Sequence, residues 1–155
     1  MARAVEWIGA ATSSMSAEAR SFVDTNVLVY AHDATAGTKR DQARALVRDL
    51  WESGDGCLSV QVLQEFFVTV TRKIPLRLDA RIGATAVEDF SQWTTHAPDS
   101  GDVIAAIELH ERHDLSFWDA MIVQSASSLG CERLYSEDLN PGQSYDGVLV
   151  VDPFA

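Results

Sequence analysis

The sequence predicts an α/β fold: a mostly parallel sheet flanked by helices on both faces, a Rossmann-like three-layer sandwich. Three observations predict it. Short apolar runs of strand length, among them Ser21-Phe22-Val23, alternate with longer stretches of 3.6-residue periodicity. Strands separated by helices need crossover connections, which align neighbouring strands in parallel and cover both faces of the sheet. Finally, 155 residues with 46% hydrophobic content suffice for one sizeable core and not for two.

The elements follow in order. Residues 1 to 19 are rich in Ala and Ser without periodicity and read as a leader ahead of a single domain over 20 to 155, with Met15 as an alternative start. The run Ser21-Phe22-Val23-Asp24 reads as a buried strand passing into a helix through Val27, Leu28 and Tyr30. A helix over 38 to 52 carries Ala43, Leu46, Val47 and Leu50 as its apolar stripe and ends at Gly54 and Gly56. A strand over 56 to 60 leads into a helix with Leu63, Phe66, Phe67, Val70 and Ile74 on its core face, stopped by Pro75. Residues 78 to 93 read as helix and 94 to 97 as extended. Residues 99 to 113 carry the helical pattern Val103, Ile104, Ile107, and 116 to 129 form a last helix closed by Gly130. Strands over 131 to 136 and 148 to 151 complete the order.

Composition narrows the function classes. Cys57 and Cys131 are far apart and no C-x-x-C is present, so neither a disulfide framework nor a structural zinc site is supported. No run approaches the length of a membrane span or a signal-peptide core, which predicts a soluble, cytoplasmic protein. The net charge of −11 is unevenly spread: residues 1 to 81 hold ten acids and ten bases, whereas 82 to 155 hold thirteen acids and two bases. Arg40, Arg44 and Arg48 recur every four residues and stack on one helix face. This stripe is either a solvated face paired with Asp41, Asp49 and Glu52 or a surface for RNA or an acidic partner.

Polar residues that follow strands in an open parallel sheet are the first site candidates, because ligands bind beyond the carboxyl ends of the strands. Asp24 and Asp138 occupy such positions. Each also has a structural account, Asp24 as a helix N-cap and Asp138 as part of the turn over 137 to 142. Asp119 lies three residues after Ser116, the spacing of a capping box. Helical geometry sets Glu65 away from the apolar stripe, on the side of Gln61, Thr69 and Arg72. If the four acids converge, their repulsion calls for a hard divalent cation such as Mg2+, which takes oxygen ligands and keeps some of its waters.

Other chemistries lack their motifs. There is no G-x-x-x-x-G-K-[ST] loop, and His110-Glu111-Arg112-His113 lacks the spacing of H-E-x-x-H. Asn26 stands where an aspartyl-phosphate phosphatase of the haloacid dehalogenase type has its second acid. A ribonuclease working through His32, His96, His110 or His113 stays open as an alternative.

Taken together, 22 to 31, then Gln64-Glu65, then Leu115-Ser116-Phe117-Trp118-Asp119-Ala120, then Leu134-Tyr135-Ser136-Glu137-Asp138-Leu139 resemble the ordered motifs of PIN-domain nucleases, in the flavour of VapC-type toxins. The resemblance runs from about Ser21 to the C-terminus, and the leader is longer than such toxins usually carry. It implies a PIN-like sheet with Asp24, Glu65, Asp119 and Asp138 as the acidic site, Asn26 and Ser136 as polar supports, and Mg2+ or Mn2+ as cofactor. Asp24 and Asp119 are then expected as direct metal ligands, with Glu65 and Asp138 completing the cage or orienting water. It further implies an RNA substrate, a homodimer, and a cognate antitoxin that blocks the cleft. Arg40, Arg44, Arg48, Arg72 and Lys73 are then expected to contact the RNA backbone. The competing expectation is a catalytically silent RNA- or protein-binding module of the same fold, and DNA is a further possible substrate.

Overall fold

The structure is a computed structural model that describes residues 19–155, so nearly all of the expected leader lies outside the described residues. Six strands form one sheet: β1 (Ser21–Val23), β2 (Gly56–Ser59), β3 (Thr94–His96), β4 (Arg133–Tyr135), β5 (Ser144–Tyr145) and β6 (Val148–Val151). Their spatial order is β3-β2-β1-β4-β6-β5, parallel except for the β5/β6 pair. Every residue of β1 and β2 is buried, which requires cover on both faces of the sheet. That cover comes from α1 (Thr25–His32), α2 (Thr38–Ser53), α3 (Val60–Arg72), α4 (Ala80–Phe90), α5 (Ser100–His113) and α6 (Phe117–Ser128). The α/β fold with its mostly parallel sheet is the one expected.

The topology decides where a site can form. From β1 the chain crosses to β2 and β3 on one side, then returns to β4 and β6 on the other. The order therefore reverses between β1 and β4, the position at which sheets of this kind bind ligands beyond the carboxyl ends of their strands. Asp24 and Ser136 are the residues that directly follow these two strands.

The core centres on Phe90, whose ring lies 5.4 Å from Trp93 and 5.9 Å from each of Phe66, Trp51 and His32. His32 is therefore a core residue, its pKa pushed down to about 4 chiefly by burial.

Several elements depart from expectation. The helix expected over 78 to 93 is confined to α4, and the following turn brings Trp93 under β2. On α3 the buried face is Val62, Phe66, Val70 and, just past the helix, Ile74. Leu63 and Phe67 instead line an apolar groove of about 630 Å³ with Val60, Val68, Ala84 and Val87. On α5, Val103, Ile104 and Ile107 are exposed, and Ala106 and Leu109 face inward. Small Ala106 permits a close approach to α6, the neighbour with which α5 is most intimately packed.

The β5/β6 hairpin was not expected. It turns on Asp146 (φ 48°) and Gly147 (φ 82°), two consecutive left-handed residues of the kind that match the twist of a two-residue hairpin.

Gly56 stands at the start of β2, where an added Cβ would lie 2.6 Å from the Trp93 ring. Gly56→Ala is expected to cost about 1–3 kcal/mol by overpacking, read as a lower urea midpoint with an unchanged slope. An unaltered midpoint would mean that Trp93 is not fixed against this strand.

Candidate functional site

Asp24 ends β1 and caps α1: the Thr25 backbone N–H donates to Asp24 Oδ1 at 2.7 Å. Its other oxygen accepts the Ser136 hydroxyl at 2.7 Å and, more weakly, the Asn26 amide at 3.4 Å. The cap and the site are thus one residue, and the two readings of Asp24 do not compete. Only 5% of Asp24 remains exposed, and its pKa is pushed up to about 6. Burial is the largest cause; the Ser136 and Thr25 hydrogen bonds offset part of it, and the charges of Asp138 and Asp119 add to it.

Asp138 is tied to Asp24 through neutral groups. The Asn26 amide donates to Asp138 Oδ2 at 3.0 Å, and the Asp138 backbone N–H donates to the Ser136 hydroxyl oxygen at 3.1 Å. The Glu137 N–H donates to Asn26 Oδ1 at 3.3 Å, which turns the Asn26 amino group toward the two carboxylates. Glu137 is itself anchored, accepting the Tyr30 hydroxyl at 2.7 Å and pairing with Lys39. Lys39 also sits 5.0 Å from the Tyr30 ring centroid.

Glu65 reaches the site from α3. Thr25 Oγ1 donates to Glu65 Oε2 at 3.2 Å, and the Gln61 amide donates to Oε1 at 2.8 Å. The same amide lies 3.4 Å from the Trp118 carbonyl, which links α3 to the start of α6. There Ser116 caps the helix by accepting the Asp119 N–H at 3.1 Å. The full reciprocal capping box occurs at α5, between Asp99 and Asp102. The Asp119 carboxyl is raised by burial first and then by the charges of Asp138 and Glu65, with the Ser116 hydroxyl acting against them.

The structure therefore links Asp24 to Asp138 through Asn26 and Ser136, and Asp119 feels the charges of Asp138 and Glu65. Among the described residues, no three His, Cys, Asp or Glu side chains converge as ready-made ligands of one cation. The donor set nonetheless fits a hard divalent ion: it is carboxylate throughout, and neighbouring acid charges add to the burial that raises Asp24 and Asp119, a cost that a cation would offset.

The bases divide. Lys73 lines a groove of about 370 Å³ with Gln64, Glu65, Val68 and Thr69, and Arg72 is exposed beside it at the end of α3. The Arg40, Arg44 and Arg48 stripe lies along α2. Arg44 donates to the Ala31 carbonyl at 3.4 Å, and its pKa is lowered by burial and then by Arg40 and Arg48.

The histidines do not form a centre. His32 is in the core, His96 bonds Ser125 and Asp102, His110 bonds the Leu115 carbonyl, and the His113 ring packs on Tyr145. Of the connecting residues, Gln61 was legible as a neighbour of Glu65 one helical turn away. Thr25, Glu137, Tyr30 and Lys39 carried no signal in spacing.

A parallel sheet whose strand order reverses between β1 and β4, with Asp24 and Ser136 bonded to each other just past those strands, places the chain in the α/β class that binds at strand ends. The chain belongs to the PIN domain family, whose sequence profile matches residues 21–142 and so spans all four acids. Among solved structures it is similar to the Mycobacterium tuberculosis toxin VapC20, described as a sarcin–ricin loop cleaving toxin, at 23% identity and a TM-score of 0.59. The likeness covers 76% of this chain and 89% of that one, and it shows the fold. No curated protein sequence matches significantly. No described helix is long and apolar enough to cross a membrane.

The raised pKa of Asp24 has a defined sign. Its folded value of about 6 lies above the ordinary 3.8, so the fold prefers the neutral acid. Stability is lost as pH rises from about 4 through 6, by up to about 3 kcal/mol for a shift of this size. In EDTA at pH 8, Asp24→Asn should therefore melt above the parent, with the gap closing near pH 4. A variant that melts lower at every pH would show that the lost ionic hydrogen bonds outweigh the burial cost.

Proposed function

We propose that this chain is a metal-dependent endoribonuclease, the toxin of a VapC-type toxin–antitoxin pair, using Mg2+ or Mn2+ to hydrolyse RNA phosphodiesters. The observation that supports the reading is Asp24 at the switch point of a PIN-family sheet, joined to Asp138 through Asn26 and Ser136 and raised in part by the charges of Asp138 and Asp119. VapC20 is described as cleaving the sarcin–ricin loop. By analogy, a structured RNA loop with splayed bases is the substrate class proposed here.

Asp24 and Asp119 would hold the cation directly, with Glu65 and Asp138 completing its surroundings or orienting water. When bound, the divalent ion supplies positive charge at the scissile phosphate and acidifies water for the attack. The protein's own groups do the positioning. Ser136 and Thr25 fix the Asp24 oxygens, so that this carboxylate, ionised above about pH 6, keeps one orientation. Asn26 spaces Asp138 from Asp24 with a neutral amide, and Gln61 and Thr25 hold Glu65 from both sides. Lys73, beside Glu65 in its groove, and Arg72 would take the RNA backbone nearest the site, and Arg40, Arg44 and Arg48 would extend that contact. Hydrolysis by water of this kind leaves a 3′-hydroxyl and a 5′-phosphate.

A cognate antitoxin and a homodimer belong to the same proposal. The excess of thirteen acids over two bases in residues 82 to 155 favours a basic partner segment. The second reading, a silent binding module, draws on the absence of a ready-made three-ligand cation cage among the described residues.

The test is cleavage of pooled cellular RNA by protein freed of copurifying partner, with Mg2+ or Mn2+ and with EDTA, beside Asp24→Asn. The expected outcome is metal-dependent cleavage reduced at least about a hundredfold in the variant. Cleavage that survives EDTA would contradict the carboxylate mechanism, and no cleavage of any RNA supplied would favour the binding module. Separately, Lys73→Ala should weaken RNA binding and lower the slope of log affinity against log salt by about one. An unchanged slope would remove Lys73 from the RNA path.

A further inference from the structure

We propose that Trp118 is the base-stacking platform of this site: its indole receives an unstacked nucleobase of the RNA strand that passes the carboxylates. The proposal rests on the ribonuclease reading above and adds to it the residue that selects unpaired RNA.

Three observations converge on this side chain. Tryptophan is ordinarily drawn toward the interior. Trp51 and Trp93 follow that rule around Phe90, whereas Trp118 is 64% exposed. The core face of α6 is supplied by other residues, including Ala120, Met121 and Val123, so the fold does not need this indole. Trp118 also immediately precedes Asp119, and its carbonyl lies 3.4 Å from the Gln61 amide that holds Glu65 at 2.8 Å. The ring is thus mounted on backbone tied to two of the four acids. Finally, the Phe117 ring meets it nearly edge to face, with centroids 5.0 Å apart and planes at 75°. That contact steadies the indole while its large exposure leaves surface for a partner.

The electrostatics give the arrangement a purpose. A cleft lined with carboxylates repels a polyanion, so affinity near the site has to come from neutral contacts or from bases set farther out. Stacking on an aromatic ring supplies about 1–3 kcal/mol per base without charge, and only an unpaired base can use it. An exposed protein-interface tryptophan would share the exposure, but nothing would then require its link to Glu65 and Asp119.

The test uses the full chain in EDTA, so that binding is read without cleavage. Anisotropy of a fluorescein-labelled single-stranded RNA dodecamer is compared with that of an abasic dodecamer of the same backbone. The proteins are the parent, Trp118→Leu and Trp118→Phe, each checked for an unchanged melting temperature. The expected result is about a tenfold or greater loss of affinity for the RNA in Trp118→Leu, near-parental binding in Trp118→Phe, and no change on the abasic chain. Equal losses on both oligonucleotides, or no loss on either, would overturn the proposal. Intact RNA binding with altered sedimentation in Trp118→Leu would overturn it too and assign the indole to a protein interface. A parent protein that neither binds the dodecamer nor cleaves RNA would bring down the ribonuclease reading itself.

Discussion

Asp24 surrenders nearly all of its water where β1 passes into α1, and the Thr25 amide, the Ser136 hydroxyl and the Asn26 amide replace only part of that solvation. The remainder appears as a carboxyl pushed up to about 6. Everything around it follows from holding one acid in that position. The switch point of the parallel sheet lets the start of α1 and the residue after β4 meet at this one carboxylate.

Neutral connectors then allow more acids to approach. Asn26 faces Asp24 and Asp138 with a single amino group, and Gln61 and Thr25 hold Glu65 without adding charge. Had these been lysines or arginines, the cluster would be internally neutralised and would have little to offer a cation. Lys39 pairs with Glu137 near the surface, and the Glu137 backbone bonds Asn26, which ties the segment carrying Asp138 to α1. Burial and neighbouring acid charge at Asp24 and Asp119 are thus the features on which the proposed cation binding rests.

Much of this was legible in the sequence because burial and turn chemistry are local. The apolar run ending at Asp24, the Ser116 cap before Asp119 and the glycine stops at 54 and 130 marked elements that the structure contains. Periodicity failed where two faces of a helix were both apolar. Val103, Ile104 and Ile107 outscore Ala106 in hydrophobicity, yet the face of α5 that is buried is the one carrying Ala106 and Leu109. Phe67 was assigned to the core for the same reason, whereas Leu63 is partly buried against the core at the edge of the groove. The two-residue β5 was too short for any alternating pattern, although Asp146-Gly147 carried the hairpin signal. For the site, spacing could nominate Asp24, Glu65, Asp119 and Asp138 singly but could not bring them together. Their neighbours depend on the strand order, and the links through Thr25 and Glu137 are visible only once that order is known.

The central claim is that these acids take up a divalent cation as a unit. The most direct measurement is Mn2+ binding followed by electron paramagnetic resonance of the free ion, at pH 8, for the parent protein and for Asp24→Asn and Asp119→Asn. The account predicts saturable binding by the parent that each single substitution weakens at least about tenfold, since every acid removed lowers both ligand number and site charge. Parent protein that leaves Mn2+ free at millimolar concentration, or variants that bind it as the parent does, would contradict it.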